Sequence, residues 1–274
     1  MVDPEDRHLV ASLGCATENL VLAAEAAGFS ASVAFKNAEH AATISLERSQ
    51  AQSSPAFQAI VTRQSTRAPF DPAPLSAKTL RAMENAIAKP GVRTRFLTAR
   101  GDLDRLKEFV VQGNTAQCND PAFVDELRSW VRFNQTQAAE TRDGLYAGAS
   151  GNPALPSWLG RAIFPYVFTA AAENPKYRAQ IDGSAGALIL YAETDAPDGW
   201  FNVGRAGQRF MLEATARDIR TSFINQPVEV ASVRPAFGAW LGDGLRPALV
   251  IRFGRGKTLP FSLRRPASAV LSAA

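Results

Sequence analysis

Residues 204–216, GRAGQRFMLEATA, run in step with residues 14–26, GCATENLVLAAEA, once Gly204 is set against Gly14, an offset of 190. Gly14, Ala16, Leu22, Ala24 and Ala26 meet Gly204, Ala206, Leu212, Ala214 and Ala216, and Leu20 and Val21 meet Phe210 and Met211. Both stretches read as helices. Over 6–28, Leu9, Val10, Leu13, Leu20, Val21 and Ala24 recur at helical spacing, and Gly28 stands where a terminal glycine ends the run; the second helix is expected over 200–218. Two explanations fit: chance matching of two Ala-rich helices, or a duplicated unit with the same central helix in each copy. Under the second, the chain begins inside copy one, near that copy's end, and copy two runs complete from about Phe57.

Working outward, Phe29, Ala31, Val33 and Phe35 alternate with smaller or polar residues, which predicts a short half-buried strand. Residues 36–56 have weak periodicity and many small polar residues, and read as a connection with at most residual strand. A short helix is expected over 57–64, then a turn-rich stretch holding Pro69, Pro72 and Pro74. Ser76 is placed to cap the next helix, with Leu80, Met83 and Ile87 on its buried face and Pro90-Gly91 at its end. There follow a strand over 92–98, two helices over 102–140, and a stretch over 143–175 whose Gly, Pro and aromatic residues suit a long excursion or lid. A strongly apolar strand over 184–193 precedes the second Ala-rich helix; an irregular stretch over 222–230 and a strand over 248–253 close the pattern.

Several chemistries are excluded early. The 274 residues are 46% hydrophobic and 20% charged, an ordinary composition for a chain with a sizeable core. The net charge of +4 is spread without a basic run, so a nucleic-acid surface is not expected, and a few arginines around one phosphate fit better. Only His8 and His40 are present, which leaves no Ser-His-Asp triad and no His-based metal site. Gly256-Lys257-Thr258 lacks the glycine five residues earlier that a phosphate loop needs (Ile251 stands there), and Pro260 blocks the helix that must follow. Asp102, Asp104, Asp125 and Glu126 read as solvated helix faces. Cys15 and Cys118 form no CxxC, and Cys15 reads as a buried thiol; a reducing cytoplasm is expected. The opening MVDPEDRHLV is no secretory signal, and no apolar run is expected to reach the roughly 18 residues of a membrane span.

One constellation remains. Residues 60–71, IVTRQSTRAPFD, place Arg63 and Arg67 either side of Ser65 at a helix end. Two guanidiniums and a hydroxyl suit a phosphate, although arginines at a helix end also face water without binding anything. Arg264-Arg265-Pro266 offers a second basic cluster after a strand. RQSTRAPFD resembles the element with which nitroreductase-fold proteins begin and hold the phosphate of FMN. WFNVGRAGQRFMLEATA resembles their central helix, SFINQPVEV the stretch that passes the reactive edge of the flavin, and RPALVIRFGRGKTLPFSLRRP their closing strand and tail. Together these span 57–270 in the family's order. VDPEDRHLVASLGCATENLVLAAEAAGF further resembles the end of the first unit in the Acg-like subgroup, whose members fuse two nitroreductase units in one chain.

The resemblance implies an α+β nitroreductase-like fold, a mixed and mainly antiparallel sheet surrounded by helices. It divides the chain into 1–56, the remnant of a first unit plus a connection, and 57–274, a complete second unit. Arg63, Ser65 and Arg67 would hold the FMN phosphate and nearby oxygens. Gln64 occupies a place usually basic in the family, and Arg264 or Arg265 would close the phosphate site. Asn225 and Gln226 would lie near the flavin ring, although on the residues alone Asn225-Gln226-Pro227 is an ordinary turn. The implied function is an FMN-dependent oxidoreductase that passes hydride from NAD(P)H to a nitro- or quinone-like acceptor. A non-catalytic flavin-binding or flavin-storing protein, with 143–175 over the pocket, and an inert remnant are the alternatives. No catalytic acid or base is named and no metal, nucleic acid or membrane is expected. The family's Pro-Ser-x-x-Asn-x-Gln-Pro-Trp-like wall of the pocket is not found in the given residues, and AIAKPGVRTRFLT lacks that Asn and Trp; a start further upstream, a homodimer that rebuilds the wall, and a decayed protein that binds flavin poorly or not at all are the three explanations.

Overall fold

The computed structural model describes residues 3–37, 42–242, 244 and 246–271; His40 lies outside them. In chain order the elements are α1 (Arg7–Ala26), β1 (Phe29–Phe35), β2 (Ala42–Arg48), α2 (Pro55–Ala59), α3 (Ala77–Ala86), β3 (Val92–Leu97), α4 (Arg100–Cys118), α5 (Pro121–Trp130), β4 (Val131–Arg132), α6 (Gln135–Thr141), β5 (Leu145–Tyr146), α7 (Ser157–Val167), α8 (Ala170–Asp182), β6 (Gly186–Ala192), α9 (Pro197–Thr215), β7 (Arg220–Phe223), α10 (Gln226–Glu229), α11 (Arg234–Leu241) and β8 (Arg246–Gly254).

The main sheet has the order β3-β6-β8-β7, and every neighbouring pair is antiparallel. Strand β6, GALILYA, is buried along all seven residues because it is covered on both faces. On one face α9 lays Val203, Ala206, Phe210, Met211 and Ala214 against Leu188, Leu190, Leu249, Ile251 and Phe253. On the other, Leu103, Leu106, Phe109 and Val110 of α4 pack with Ile189, Tyr191, Val250 and Phe237. A mixed fold of helices around antiparallel sheet is what the sequence led us to expect.

Several boundaries differ, each for a local reason. The connection expected over 36–56 contains β2, which pairs antiparallel with β1 from Phe29↔Arg48 to Phe35↔Ala42; its alternation, ATISLER, is diluted by the small polar residues around it. Helix α2 starts earlier than 57 and ends at Ala59, because Ser54 Oγ accepts from Phe57 N at 3.1 Å, Pro55 fits the first turn, and β-branched Ile60, Val61 and Thr62 do not prolong it. The two helices expected over 102–140 are three, since Asp120 and Asn134 each cap a new start. The excursion over 143–175 holds α7 and the first turn of α8, and the irregular stretch over 222–230 contains β7 and α10. Ser76 does cap α3, accepting from Thr79 N at 3.2 Å. Helix α1 overturns one expectation: at 20 residues and a mean hydropathy of 1.3 it is long and apolar enough to cross a membrane.

That apolar helix lies against α9 at backbone distance. A Cβ added to Gly204 would stand 1.9 Å from the Ala11 carbonyl oxygen, and one added to Gly14 would stand 2.1 Å from the Phe201 carbonyl oxygen. Ala11 and Phe201 are themselves 190 residues apart, so the two contacts exchange under the offset seen in the sequence. The same exchange turns the Gln208 Nε2 to Asn19 Oδ1 bond (2.8 Å) into the Arg209 Nε to Glu18 Oε1 bond (2.8 Å). It also turns the Cys15 Sγ bond to Gly204 O (3.2 Å) into the approach of Arg205 N to Gly14. The helix pair therefore has the contact pattern of a self-complementary, two-fold interface.

Glu18 is fully buried in this seam and is held by Arg209, by Arg205 Nε (3.0 Å) and by Lys89 Nζ (3.3 Å). Burial raises its pKa, but the three cations outweigh burial and the net shift is downward. Such a group stabilises the fold above the pKa of the unfolded carboxylate, and that contribution is lost as pH falls through the lowered folded value. Glu18→Gln should therefore cost about 3–5 kcal/mol at neutral pH, and the gap in melting temperature from wild type should narrow in acid; a gap that stays constant would show that Glu18 is not charged in the fold. Gly14→Ala and Gly204→Ala should each destabilise by about 1–3 kcal/mol through overpacking. In an ordinary helix the same change stabilises, so a raised midpoint of chemical unfolding would exclude the close contact.

Candidate functional site

The stretch 63–71 runs from the end of α2 along one end of the main sheet, and its backbone is pinned at each step. Arg63 N donates to Ala59 O at 2.8 Å and closes the helix. Ser65 forms a parallel bridge with Thr221 of β7, and Thr66 N donates to Thr221 O at 2.9 Å. Asp71 N donates to Arg255 O at 2.7 Å beyond β8. Underneath lies Arg252, a charged residue inside the apolar strand β8 and fully buried. Its Nη2 donates to Thr66 O (2.8 Å) and Ala68 O (2.9 Å), its Nη1 to Gln180 O (3.3 Å), and the guanidinium lies 4.0 Å from the Phe70 ring centroid. Burial lowers its pKa to about 9, which leaves it charged at neutral pH. Arg252 is not among the residues expected at the site, although a lone Arg in the run ALVIRF is its signal in the sequence.

Gln64 is used structurally. Its amide clamps the backbone of Leu259, with Nε2 donating to the carbonyl oxygen and Oε1 accepting from the N–H, both at 2.8 Å. This ties the C-terminal tail to the 63–71 stretch. Arg63 is half-buried, with Nη1 3.8 Å from Met211 Sδ. Burial lowers its pKa, Cys15 offsets part of that, and the positive charge of Arg264 adds to it, so the two arginines feel one another. Among the described residues Arg264 itself bonds only to nearby carbonyls, Ser262 O at 3.2 Å and Leu263 O at 3.4 Å. Arg265 points elsewhere: it donates to Asp143 at 2.9 Å, and Asp143 also accepts from Arg132 at 2.7 Å. The Arg132 and Arg265 hydrogen bonds hold the Asp143 carboxyl down at about 2. Arg67 is exposed, and its carbonyl accepts from Gln180 Nε2 at 3.2 Å. Among the described residues no carboxylate pairs with Arg63, Arg67 or Arg264, which makes their surroundings receptive to an anion.

Asn225 and Gln226 differ in what they do. Asn225 Oδ1 accepts from Val250 N at 2.9 Å, and its carbonyl accepts from Val228 N and Glu229 N. The side chain therefore fixes the point where the chain leaves β7 for α10. Gln226 is buried against Gly113 of α4, where an added Cβ would stand 2.7 Å from Gln226 Cβ. Its Oε1 and the Thr221 Oγ1 are buried without a partner among the described residues, a condition that a polar ligand would relieve. Cys15, expected to be a buried thiol, is half-buried; its Sγ donates to Gly204 O at 3.2 Å, and burial raises its pKa to about 11. Among the described residues no cluster of His, Cys, Asp or Glu could hold a metal. In the excursion, Trp158 and Tyr166 are exposed while Phe164 stacks on Phe168 at 5.2 Å. A cavity of about 540 Å³ lies along 84–94 and is lined by none of the eight residues singled out by the sequence.

Residues 60–255 match the profile of the Nitroreductase family. A Mycobacterium tuberculosis protein, recorded from strains H37Rv and CDC 1551 under the provisional name NAD(P)H nitroreductase, is 28% identical over 284 residues, covering 98% of this chain and 78% of its own. The FMN-dependent nitroreductase NfnB of Mycobacterium smegmatis, solved in complex with NADPH, superposes with a TM-score of 0.52 at 15% identity, over 80% of this chain and 98% of that one.

If Arg252 is the support of the 63–71 stretch, Arg252→Met should destabilise by about 2–3 kcal/mol, since it strands the buried Thr66 carbonyl and removes a donor from the part-buried Ala68 carbonyl. Limited proteolysis should then cut within 63–71 before it cuts elsewhere; an unchanged digestion pattern and midpoint would remove Arg252 from that role.

Proposed function

Because the chain belongs to the nitroreductase family, we propose that it binds FMN and acts as an NAD(P)H-dependent flavin oxidoreductase on a nitro- or quinone-like acceptor. The observation that carries the proposal is that Arg63, Arg67 and Arg264 have no carboxylate partner among the described residues, while the Gln64 clamp on Leu259 ties the tail that carries Arg264 to the 63–71 stretch. In this reading Arg63, Ser65 and Arg67 take the phosphate end, Arg264 closes it, and Arg265 serves as an anchor of the tail through Asp143. Gln64 contributes by holding Leu259 in place, and Asn225 by holding α10. Gln226, with its unpartnered Oε1, is the side chain that meets the polar edge of the ring. Bound flavin supplies the hydride chemistry. The chain's own groups bind it, orient it and keep water from one side.

We further read the chain as two units of the Acg-like kind, 1–56 and 57–274. Support comes from the exchange of contacts between α1 and α9 under the 190-residue offset. The tuberculosis protein adds to it, because its similarity runs through residues 1–56 as well as through the stretch matched by the family.

The test is an absorbance spectrum after adding FMN and removing the excess. A retained band near ~450 nm is expected for wild type and for Arg265→Gln, followed by turnover of a nitroaromatic with NADH or NADPH. Arg63→Gln and Arg264→Gln should each weaken FMN by ~1.5 kcal/mol or more, about tenfold. A protein that retains no flavin, or an Arg264→Gln variant that binds as tightly as wild type, would overturn the assignment.

A further inference from the structure

The excursion is tied at its root by Arg132, a buried residue whose guanidinium is engaged on local groups. Its Nε donates to Thr141 Oγ1 and to Asp143 Oδ1, both at 3.1 Å, its Nη1 to Ser129 O at 2.8 Å, and its Nη2 to Asp143 Oδ1 at 2.7 Å. Strands β4 and β5 pair parallel beside it, Val131 with Leu145 and Arg132 with Tyr146. The residues on either side of Asp143 take left-handed backbone: Arg142 (φ 52°), which ends α6, and Gly144 (φ 71°). Gly144 also lies directly on the knot, since a Cβ added there would stand 2.4 Å from Trp130 O and 2.9 Å from Arg132 Cζ. Backbone held in this way persists only where its surroundings over-determine it.

What the knot fixes is the Asp143 carboxylate. Arg132 takes Oδ1, and the other oxygen, Oδ2, accepts from Arg265 Nη2 at 2.9 Å. An ion pair between exposed side chains is ordinarily weak, because two flexible groups must be ordered to form it. Here the acceptor is ordered in advance and only Arg265 loses freedom. The tail that carries Arg265 has one other anchor, the clamp of Gln64 on Leu259. Among the described residues 260–264 hydrogen-bond only within the tail, and Phe261 and Leu263 are exposed. Arg264 is therefore next to one fixed residue and five positions from the other. With Arg265 released, a phosphate that engages Arg264 would have to order the whole span back to Leu259.

We propose that Asp143 is a positioning residue for the phosphate site: through Arg265 it holds Arg264 where the phosphate of FMN meets it. The proposal rests on the reading of Arg264 as a phosphate ligand. It has a sign that plain electrostatics does not share. Asp143→Asn removes a negative charge, and a carboxylate that acted by its charge alone would, once removed, leave an anion bound more tightly. A carboxylate that acts through the tail leaves the anion bound more weakly when it is removed.

Titration of the full chain with FMN tests it. Asp143→Asn should raise the dissociation constant about fivefold. Arg265→Gln, which leaves the Arg132 bonds in place and keeps the flavin band, should raise it by the same factor. The double variant should bind no more weakly than either single one, because both act through one contact. Arg265→Lys, which still offers Asp143 a cation, should recover most of the loss. An Asp143→Asn protein that binds FMN as tightly as wild type, or more tightly, overturns the proposal, and so do losses that add in the double variant. Should Asp143→Asn fail to fold, because it leaves Arg132 buried without its carboxylate, equal affinities of Arg265→Gln and Arg265→Lys overturn it instead. A wild type that retains no FMN overturns the reading of the arginine site, and this inference with it.

Discussion

The approach of α1 to α9 is the constraint on which the rest of the molecule depends. Two helices meet at backbone distance only where side chains vanish, and Gly14 and Gly204 are those places. Once the helices are that close, Glu18 is sealed from water and must be matched by Arg205, Arg209 and Lys89. The match is costly to assemble and costly to break, so it serves registry more than net stability. A slip of one helical turn would separate the buried carboxylate from both arginines.

From that seam the position of the candidate site follows. Helix α9 presents one side to α1 and another to the main sheet, and Leu22 and Leu212 together receive Ala56 and Ala59 of α2. The end of α2 is thereby fixed over the seam, which brings Arg63 to Met211. Arg252 and Gln64 then complete the frame from below and from the tail. Both spend their polarity on backbone groups, which leaves the charges of Arg63, Arg67 and Arg264 for something else.

Much of the fold was legible because its signals are local. Ser76 caps α3, the all-apolar β6 is buried on both faces, and the shared glycines of the two Ala-rich helices mark their crossing. What was not legible depends on partners distant in sequence. Strand β2 is too short and too polar to announce itself, and becomes a strand through its pairing with β1. In the site, the resemblance assigned Gln64, Asn225 and one of Arg264 and Arg265 to the flavin; in the structure the side chains of Gln64, Asn225 and Arg265 engage Leu259, Val250 and Asp143. Nothing in a single sequence distinguishes an arginine that waits for a ligand from its neighbour that is already paired.

The pair Arg264 and Arg265 shows why such neighbours diverge. Successive residues on an extended chain point to opposite sides, so one tail cannot aim both guanidiniums at one target. Asp143, held in place by Arg132 at the start of the excursion, takes Arg265. That pairing fastens the tail to the excursion that carries Trp158 and Tyr166. In the proposed complex a phosphate held by Arg63 and Arg264 would gain charged hydrogen bonds without displacing a carboxylate from either.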